Sequence, residues 1–145
     1  MPPKLSVLFL CTGNSCRSQM AEGWARRLEP DRLDAHSAGI APAGVDPRAV
    51  RVMAESGVDI SQQRSKHVDE LAGESIDCVV TVCDNARERC PVFPGGARRL
   101  HAGFDDPPAL AAGAVSEEEA LEHYRRVRDE IRAFVERLAD GPEDG

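Results

Sequence analysis

The stretch at residues 11–18, with the sequence CTGNSCRS, constrains this chain more than any other feature. It follows an apolar run at 5–10 that is typical of a buried β-strand, and it leads into a segment at 19–28 that is typical of a helix. A loop wrapped around a helix N-terminus points several backbone N–H groups at one spot, where the helix dipole adds positive potential. The sequence therefore predicts a site for a tetrahedral oxyanion between the first strand and the first helix.

Three side chains of this loop carry the predicted chemistry. Arg17 can fork two N–H donors onto the oxygens of the anion. The same positive environment favours the thiolate of Cys11, which is the nucleophilic form of cysteine, and the hydroxyl of Ser18 can donate to that thiolate. The residues predicted to surround the anion are Thr12, Gly13, Asn14, Ser15, Cys16 and Arg17.

Strands alternating with helices predict an α/β fold. We expect one domain at 1–139, an open parallel four-stranded sheet flanked by helices, followed by a flexible tail at 140–145. The strands are predicted at 5–10, 33–38, 78–82 and 98–101, with one or two helical turns at 67–72. A helix starting at Pro47 is expected to bury Val50, Met53 and Ala54, and 103–108 is expected to be a loop.

The last helix is predicted by a capping box at 116–119 and a long apolar stripe, whose residues we assign to the core. Its members are Leu121, Tyr124, Val127, Ile131, Phe134, Val135 and Leu138.

Cys83 follows the apolar run at 78–82 much as Cys11 follows the first run. In open α/β sheets, ligands bind beyond the carboxyl ends of the strands. The two cysteines are therefore expected to face one crevice. Cys78 is interpreted as a small buried hydrophobic residue, and Cys16 as a loop residue acting through its backbone.

Composition excludes several other classes of function. The net charge of -7 argues against a nucleic-acid binder, and no apolar run is long enough to predict a membrane span or a secretory signal. We therefore expect a cytoplasmic protein, in which cysteines are more often catalytic or redox-active than structural. The spacing of the five cysteines lacks the C-x2-C pairs of zinc sites, and the four histidines are scattered, so we expect no metal centre.

Six motifs in fixed order resemble the thioredoxin-coupled arsenate reductases, which are built on the low-molecular-weight protein tyrosine phosphatase fold. The motifs are CTGNSCRSQMAEGW at 11–24, HSAG at 36–39, VTVC at 80–83, CP at 90–91, GFDDP at 103–107 and RVRDEI at 126–131. They span nearly the whole chain.

This resemblance implies arsenate as substrate, thioredoxin as electron donor and no resident cofactor, and we expect a monomer. Cys11 would attack arsenic, and Asp106, or its neighbour Asp105, would protonate the departing oxygen. Cys83 would then form a disulfide with Cys11 and release arsenite. Cys90 would next take over the disulfide with Cys83, which thioredoxin would reduce.

The segment between the last two cysteines is compatible with a helix. A helix at 84–89 would separate Cys83 and Cys90 by about 10 Å, at ~1.5 Å per residue. A disulfide needs Cα atoms within roughly 7 Å. We therefore expect this segment to be helical when reduced and to loop out when oxidised.

The thioredoxin-coupled arsenate reductases, which this sequence resembles, often bind potassium beside the loop. Asn14, Glu22 and Ser37 match positions implicated in that site, whereas Lys66 stands where such relatives carry an aspartate. We therefore hypothesise that the Lys66 ammonium takes the cation's place and that activity depends little on potassium.

Two other functions use parts of the same constellation. A low-molecular-weight phosphatase would need Cys11, Arg17 and Asp106 but neither of the later cysteines. That branch typically places tyrosines after the Asp-Pro pair, where this chain has Pro108 and an alanine. A redox sensor or arsenite-binding module would need the cysteines but not Arg17.

Overall fold

The computed structural model describes residues 4–71, 73–83 and 97–140. The predicted helix at 84–89, Cys90 and residues 141–145 lie outside this part of the chain. The described elements are β1 (Leu5–Cys11), α1 (Arg17–Leu28), β2 (Leu33–Gly39), α2 (Pro47–Glu55), a 3-10 helix (Val68–Leu71), β3 (Cys78–Thr81), β4 (Arg98–His101), α3 (Pro107–Ala111) and α4 (Glu117–Ala139).

The four strands form one parallel sheet in the order β2-β1-β3-β4, which confirms the predicted sheet. β1 lies inside the sheet, pairing with β2 from Leu5 opposite Leu33 to Cys11 opposite Gly39, and with β3 on its other side. Its run of buried apolar residues fits this central place, because the crossover helices of a parallel sheet cover both faces of its inner strands.

The long helix α4 packs against α1, α2 and α3. It begins where the Ser116 side chain accepts a hydrogen bond from the Glu119 backbone, as the capping box predicts. The predicted apolar stripe of α4 is buried except for Phe134, which is half-buried. The Phe134 ring packs edge to face with the Phe104 ring, with 5.9 Å between the two ring centroids. No helix in the described part of the chain has the length and apolar character needed to cross a membrane.

The predicted inner face of α2 was correct at Met53 and wrong at Val50 and Ala54. Asp46 caps this helix through the Arg48 backbone N–H and Pro47 begins it, as expected. The side chains it buries, however, are Ala49, Val52 and Met53, whereas Val50 is half-buried and Ala54 is exposed. The buried residues follow the i, i+3, i+4 spacing from Ala49, and this spacing defines one face of a helix.

One further boundary differs from the sequence predictions. The loop predicted to run to residue 108 ends at Asp106, because Pro107 has the fixed φ that suits the first turn of α3. The helical turn predicted within 67–72 is present as a 3-10 helix at Val68–Leu71. The last helix ends at Ala139, and Asp140, the first residue of the predicted tail, caps it and forms an ion pair with Arg32 at 3.2 Å.

Candidate active site

The loop at 11–17 follows β1, at the point in the parallel sheet where the strand order reverses. Cys11 is the last residue of β1 and Arg17 is the first of α1. The chain passes from β1 to β2 on one side and then crosses to β3 on the other. Ligand sites of open parallel sheets occupy the crevice at this point, beyond the carboxyl ends of the strands. The fold therefore places the predicted anion loop where a small ligand can enter.

The carbonyl groups of the loop face outward, and backbone N–H groups from the following segment hold them. The pairs are Cys11 O with Ile40 N at 3.2 Å, Thr12 O with Ala41 N at 2.8 Å, Gly13 O with Ala43 N at 2.9 Å and Ser15 O with Asp46 N at 3.0 Å. In a trans peptide the carbonyl and the next N–H point in opposite directions. Turning the carbonyls outward thus directs the N–H groups inward, which is the arrangement that binds an oxyanion.

A chain of hydrogen bonds ends on the sulfur of Cys11. The Lys66 backbone N–H donates to Asn14 Oδ1 at 2.9 Å, which turns the Asn14 Nδ2 group toward Ser18 Oγ at 2.8 Å. Because Ser18 accepts there, its own proton is available to Cys11 Sγ, also at 2.8 Å. The Asn14 backbone N–H lies 3.2 Å from the same sulfur. Two donors thus converge on the sulfur of Cys11.

Asn14 and Gly39 support this geometry through backbone features that the sequence analysis did not predict. Asn14 has φ of 45°, a left-handed conformation that asparagine tolerates better than most residues. Gly39 lies against the loop, and a Cβ atom there would come within 2.6 Å of Thr12 O and 2.8 Å of the Asn14 backbone nitrogen. Backbone atoms cannot move away as a side chain can, so only glycine fits at this position.

Arg17 connects the loop to the segment that carries the predicted acid. Its Nη1 donates to the carbonyl of Phe104 at 2.9 Å, and its Nη2 lies 3.6 Å from Asp106 Oδ1. Asp106 lines the cavity above the loop together with Cys11, whereas Asp105 turns away and pairs with Arg126 at 2.9 Å. Of the two aspartates, the geometry thus places Asp106 at the cavity and Asp105 outside it.

Among the other described cysteines, Cys16 lines the cavity above the loop, Cys83 lies beside the loop and Cys78 lies in the core. Cys83 Sγ lies 3.3 Å from the hydroxyl of Thr12, the residue that follows Cys11. Cys83 therefore borders the anion loop, in the crevice expected from the sequence. Burial and the negative charge of Asp46 raise the pKa of Cys16, which precedes α1 as its N-cap. Burial likewise raises the pKa of Cys78, in β3, to about 11.

Glu22 and Ser37, which match the potassium site of thioredoxin-coupled arsenate reductases, are paired in a way that does not fit a bound cation. Ser37 donates to Glu22 Oε1 at 2.5 Å, and the guanidinium of Arg26 pairs with Glu22 Oε2 at 3.0 Å. The ammonium of Lys66 donates to the carbonyl of Arg64 at 3.2 Å, and burial lowers its pKa. Donors therefore already occupy these oxygens, and Arg26 rather than Lys66 forms the ion pair with Glu22.

Comparison with known proteins agrees with this architecture. Residues 6–141 match the family model described as low molecular weight phosphotyrosine protein phosphatase. An arsenate reductase of Halalkalibacterium halodurans is 48% identical over 137 residues, which are 94% of this chain and 96% of that protein. One of Bacillus licheniformis is 47% identical over 137 residues, with the same coverage of both chains.

Solved structures extend the similarity to three dimensions. An arsenate reductase in the phosphate binding state has a TM-score of 0.80 and 31% identity, covering 94% of this chain and 97% of that chain. The chain therefore belongs to the low molecular weight phosphotyrosine protein phosphatase family, and within it resembles the arsenate reductases.

Proposed function

We propose that this chain is a thioredoxin-coupled arsenate reductase that passes two electrons through Cys11, Cys83 and Cys90. The observation that carries the proposal is the position of Cys83, whose sulfur contacts Thr12 in the anion loop. A phosphate ester hydrolase of the same fold needs no second thiol there. We assign the protein to the cytoplasm, because a reducing compartment keeps such thiols available. We also expect it to be a monomer.

In the first step the loop binds arsenate and Cys11 attacks arsenic. The N–H groups of the loop and the guanidinium of Arg17 neutralise the oxyanion, and the hydroxyl of Ser18 supports the thiolate. A sulfur–arsenic bond forms and one oxygen leaves as water after protonation by Asp106, which is half exposed and faces Arg17 at 3.6 Å. Arsenic remains in its +5 state.

In the second step Cys83 attacks the sulfur of Cys11. A Cys11–Cys83 disulfide forms, the sulfur–arsenic bond breaks and its electron pair goes to arsenic, which leaves as arsenite in the +3 state. Cys90 then attacks Cys83 and frees Cys11. Two electrons from thioredoxin reduce the remaining disulfide, so each cycle consumes one dithiol and reduces one arsenate.

The wall of the cavity favours a small inorganic substrate over a phosphotyrosine peptide. Pro108 lines the cavity beside Asp106, and the exposed residue after it is an alanine. The only tyrosine of the chain, Tyr124, is buried and donates its hydroxyl to Asp46 at 2.6 Å. Among the described residues that line this cavity, none has an aromatic ring that could stack on a phenol ester.

The proposal is tested by arsenate-dependent oxidation of NADPH in the presence of thioredoxin and thioredoxin reductase. The wild-type chain is expected to turn over repeatedly, whereas Cys90→Ser is expected to release about one arsenite per enzyme and then stop. Replacement of thioredoxin by glutathione and glutaredoxin is the control, and turnover only in that system would place the electron source elsewhere. Hydrolysis of para-nitrophenyl phosphate without arsenate reduction would identify a phosphatase.

We expect potassium to have little effect on the wild-type enzyme. Arg26 and Ser37 already occupy the Glu22 carboxylate, so exchanging potassium for tetramethylammonium at constant ionic strength should change kcat/KM for arsenate by less than about twofold. Steady-state rates over a potassium titration provide the measurement. A saturable activation by potassium alone would contradict this interpretation of the site.

A further inference from the structure

One carbonyl of the anion loop is held differently from its neighbours. Those of residues 11, 12, 13 and 15 receive backbone N–H groups from residues 40–46. The exception is Asn14, whose carbonyl accepts from the side-chain Nε2 of Gln19 at 3.0 Å. Gln19 is fully buried in α1, so its amide lies in a site without bulk water. The direction of this one carbonyl thus depends on the orientation of a side chain.

A second glutamine determines that orientation. Gln63 Nε2 donates to Gln19 Oε1 at 2.8 Å and to the backbone carbonyl of Gln19 at 3.0 Å. With its oxygen held by Gln63, the Gln19 amide presents Nε2 to Asn14 O and also to Arg64 O, at 3.2 Å. The flipped amide would set its oxygen against these two carbonyls and its NH2 group against the NH2 group of Gln63.

We propose that Gln63 is a positioning residue that directs the Ser15 backbone N–H toward the bound oxyanion. Asn14 O and Ser15 N belong to one peptide group, in which carbonyl and N–H point in opposite directions. Gln63 orients Gln19, Gln19 holds Asn14 O at the back of the loop, and the Ser15 N–H faces the anion as a result. The inference deepens the proposed function, since it assumes that this loop binds the substrate.

Gln63→Glu is the sharpest test, because it keeps the shape of the side chain and replaces the donor with a second acceptor. Phosphate protection of Cys11 against iodoacetamide, followed by mass spectrometry of the peptide that contains Cys11, measures binding without turnover. We expect half-protection to need at least about tenfold more phosphate than in the wild type. In steady state, the KM for arsenate should rise by about the same factor, with a smaller change in kcat.

Gln62→Glu is the matched control, because it introduces the same charge at the adjacent, exposed position. It should leave half-protection within about twofold of the wild type, as expected for a charge in solvent. Gln63→Met removes the donor without adding charge and should raise the phosphate requirement by about threefold or more. This variant keeps the test valid if Gln63→Glu does not fold.

A double-mutant cycle separates this role from simple loss of stability. If Gln63 acts through Gln19, then adding Gln63→Glu to a Gln19→Met background should shift half-protection by less than about twofold beyond Gln19→Met alone. Wild-type phosphate protection in a folded Gln63→Glu variant would overturn the proposal, as would an undiminished effect in the Gln19→Met background. If the wild type binds phosphate but does not reduce arsenate, only the proposed function fails.

Discussion

Cys83→Ser should lower arsenate turnover by at least about a thousandfold, while hydrolysis of para-nitrophenyl phosphate stays within about threefold of the wild type. Cys11→Ser should abolish both reactions. The reason is chemical: thiols do not reduce phosphorus in its +5 state, so water ends the phosphatase reaction after the Cys11 step. Arsenic in its +5 state accepts an electron pair, and only a second thiol can supply the disulfide that releases arsenite.

The positions of the two sulfurs support this division of roles. Cys11 lies at the floor of the loop, where Ser18 and the Asn14 N–H converge on it. Cys83 lies at the edge of the same crevice, against Thr12. Removal of the Cys83 sulfur leaves those donors to Cys11 in place, so the phosphatase reaction should survive.

The measurements are the thioredoxin-coupled rate with arsenate and the release of para-nitrophenol, both on the same protein preparations. Cys78→Ala is the control, because Cys78 is buried at the first position of β3, at the opposite end of the strand from the site. This substitution should leave both rates within about threefold of the wild type. Sustained arsenate turnover by Cys83→Ser would show that this cysteine is not part of the relay.

Arg17→Lys should lower kcat/KM for arsenate and for para-nitrophenyl phosphate by about a thousandfold, which corresponds to ~4 kcal/mol of transition-state stabilisation. One guanidinium nitrogen holds the carbonyl of Phe104 and another faces Asp106 and the cavity. The single ammonium of lysine cannot reach both positions or fork onto two anion oxygens. The substitution should therefore weaken anion binding and also release the segment that carries Asp106.

Arg27→Lys is the matched control for Arg17→Lys, because Arg27 lies on the same helix with an exposed side chain. Initial rates with both substrates decide the result. More than about a tenth of wild-type activity in Arg17→Lys would mean that the charge alone is sufficient. If wild type and Arg17→Lys both lack turnover but bind arsenite equally well, the chain is instead a binding or redox-sensing module that needs only the cysteines.

The sequence could predict the loop because its parts are adjacent in the chain. A strand, a small polar loop and a helix with Cys11 and Arg17 at the junctions suffice to place an anion site. It could not separate Asp105 from Asp106, because both are acidic and precede the same proline. Their difference comes from Arg126, twenty-one residues from Asp105, which draws that side chain out of the site.

Other features were not predictable because they depend on contacts between distant segments. Gln19 and Gln63 are forty-four residues apart, and two glutamines carry no pattern that would indicate a shared hydrogen bond. The close approach of Gly39 to the loop depends on the pairing of β2 with β1. The inner face of α2 was wrong at Val50 and Ala54 because both are also apolar, so several faces of this short helix appear suitable for burial.

The outward-facing carbonyls have a thermodynamic consequence. Their donors come from residues 40–46, 65 and the side chain of Gln19, so the anion loop has its shape only when these segments are folded around it. A ligand that binds only this native arrangement stabilises the whole domain, by ~2.7 kcal/mol when its free concentration is about a hundred times Kd. Phosphate in the surroundings of the protein would thus compete with the substrate and at the same time protect the fold from unfolding.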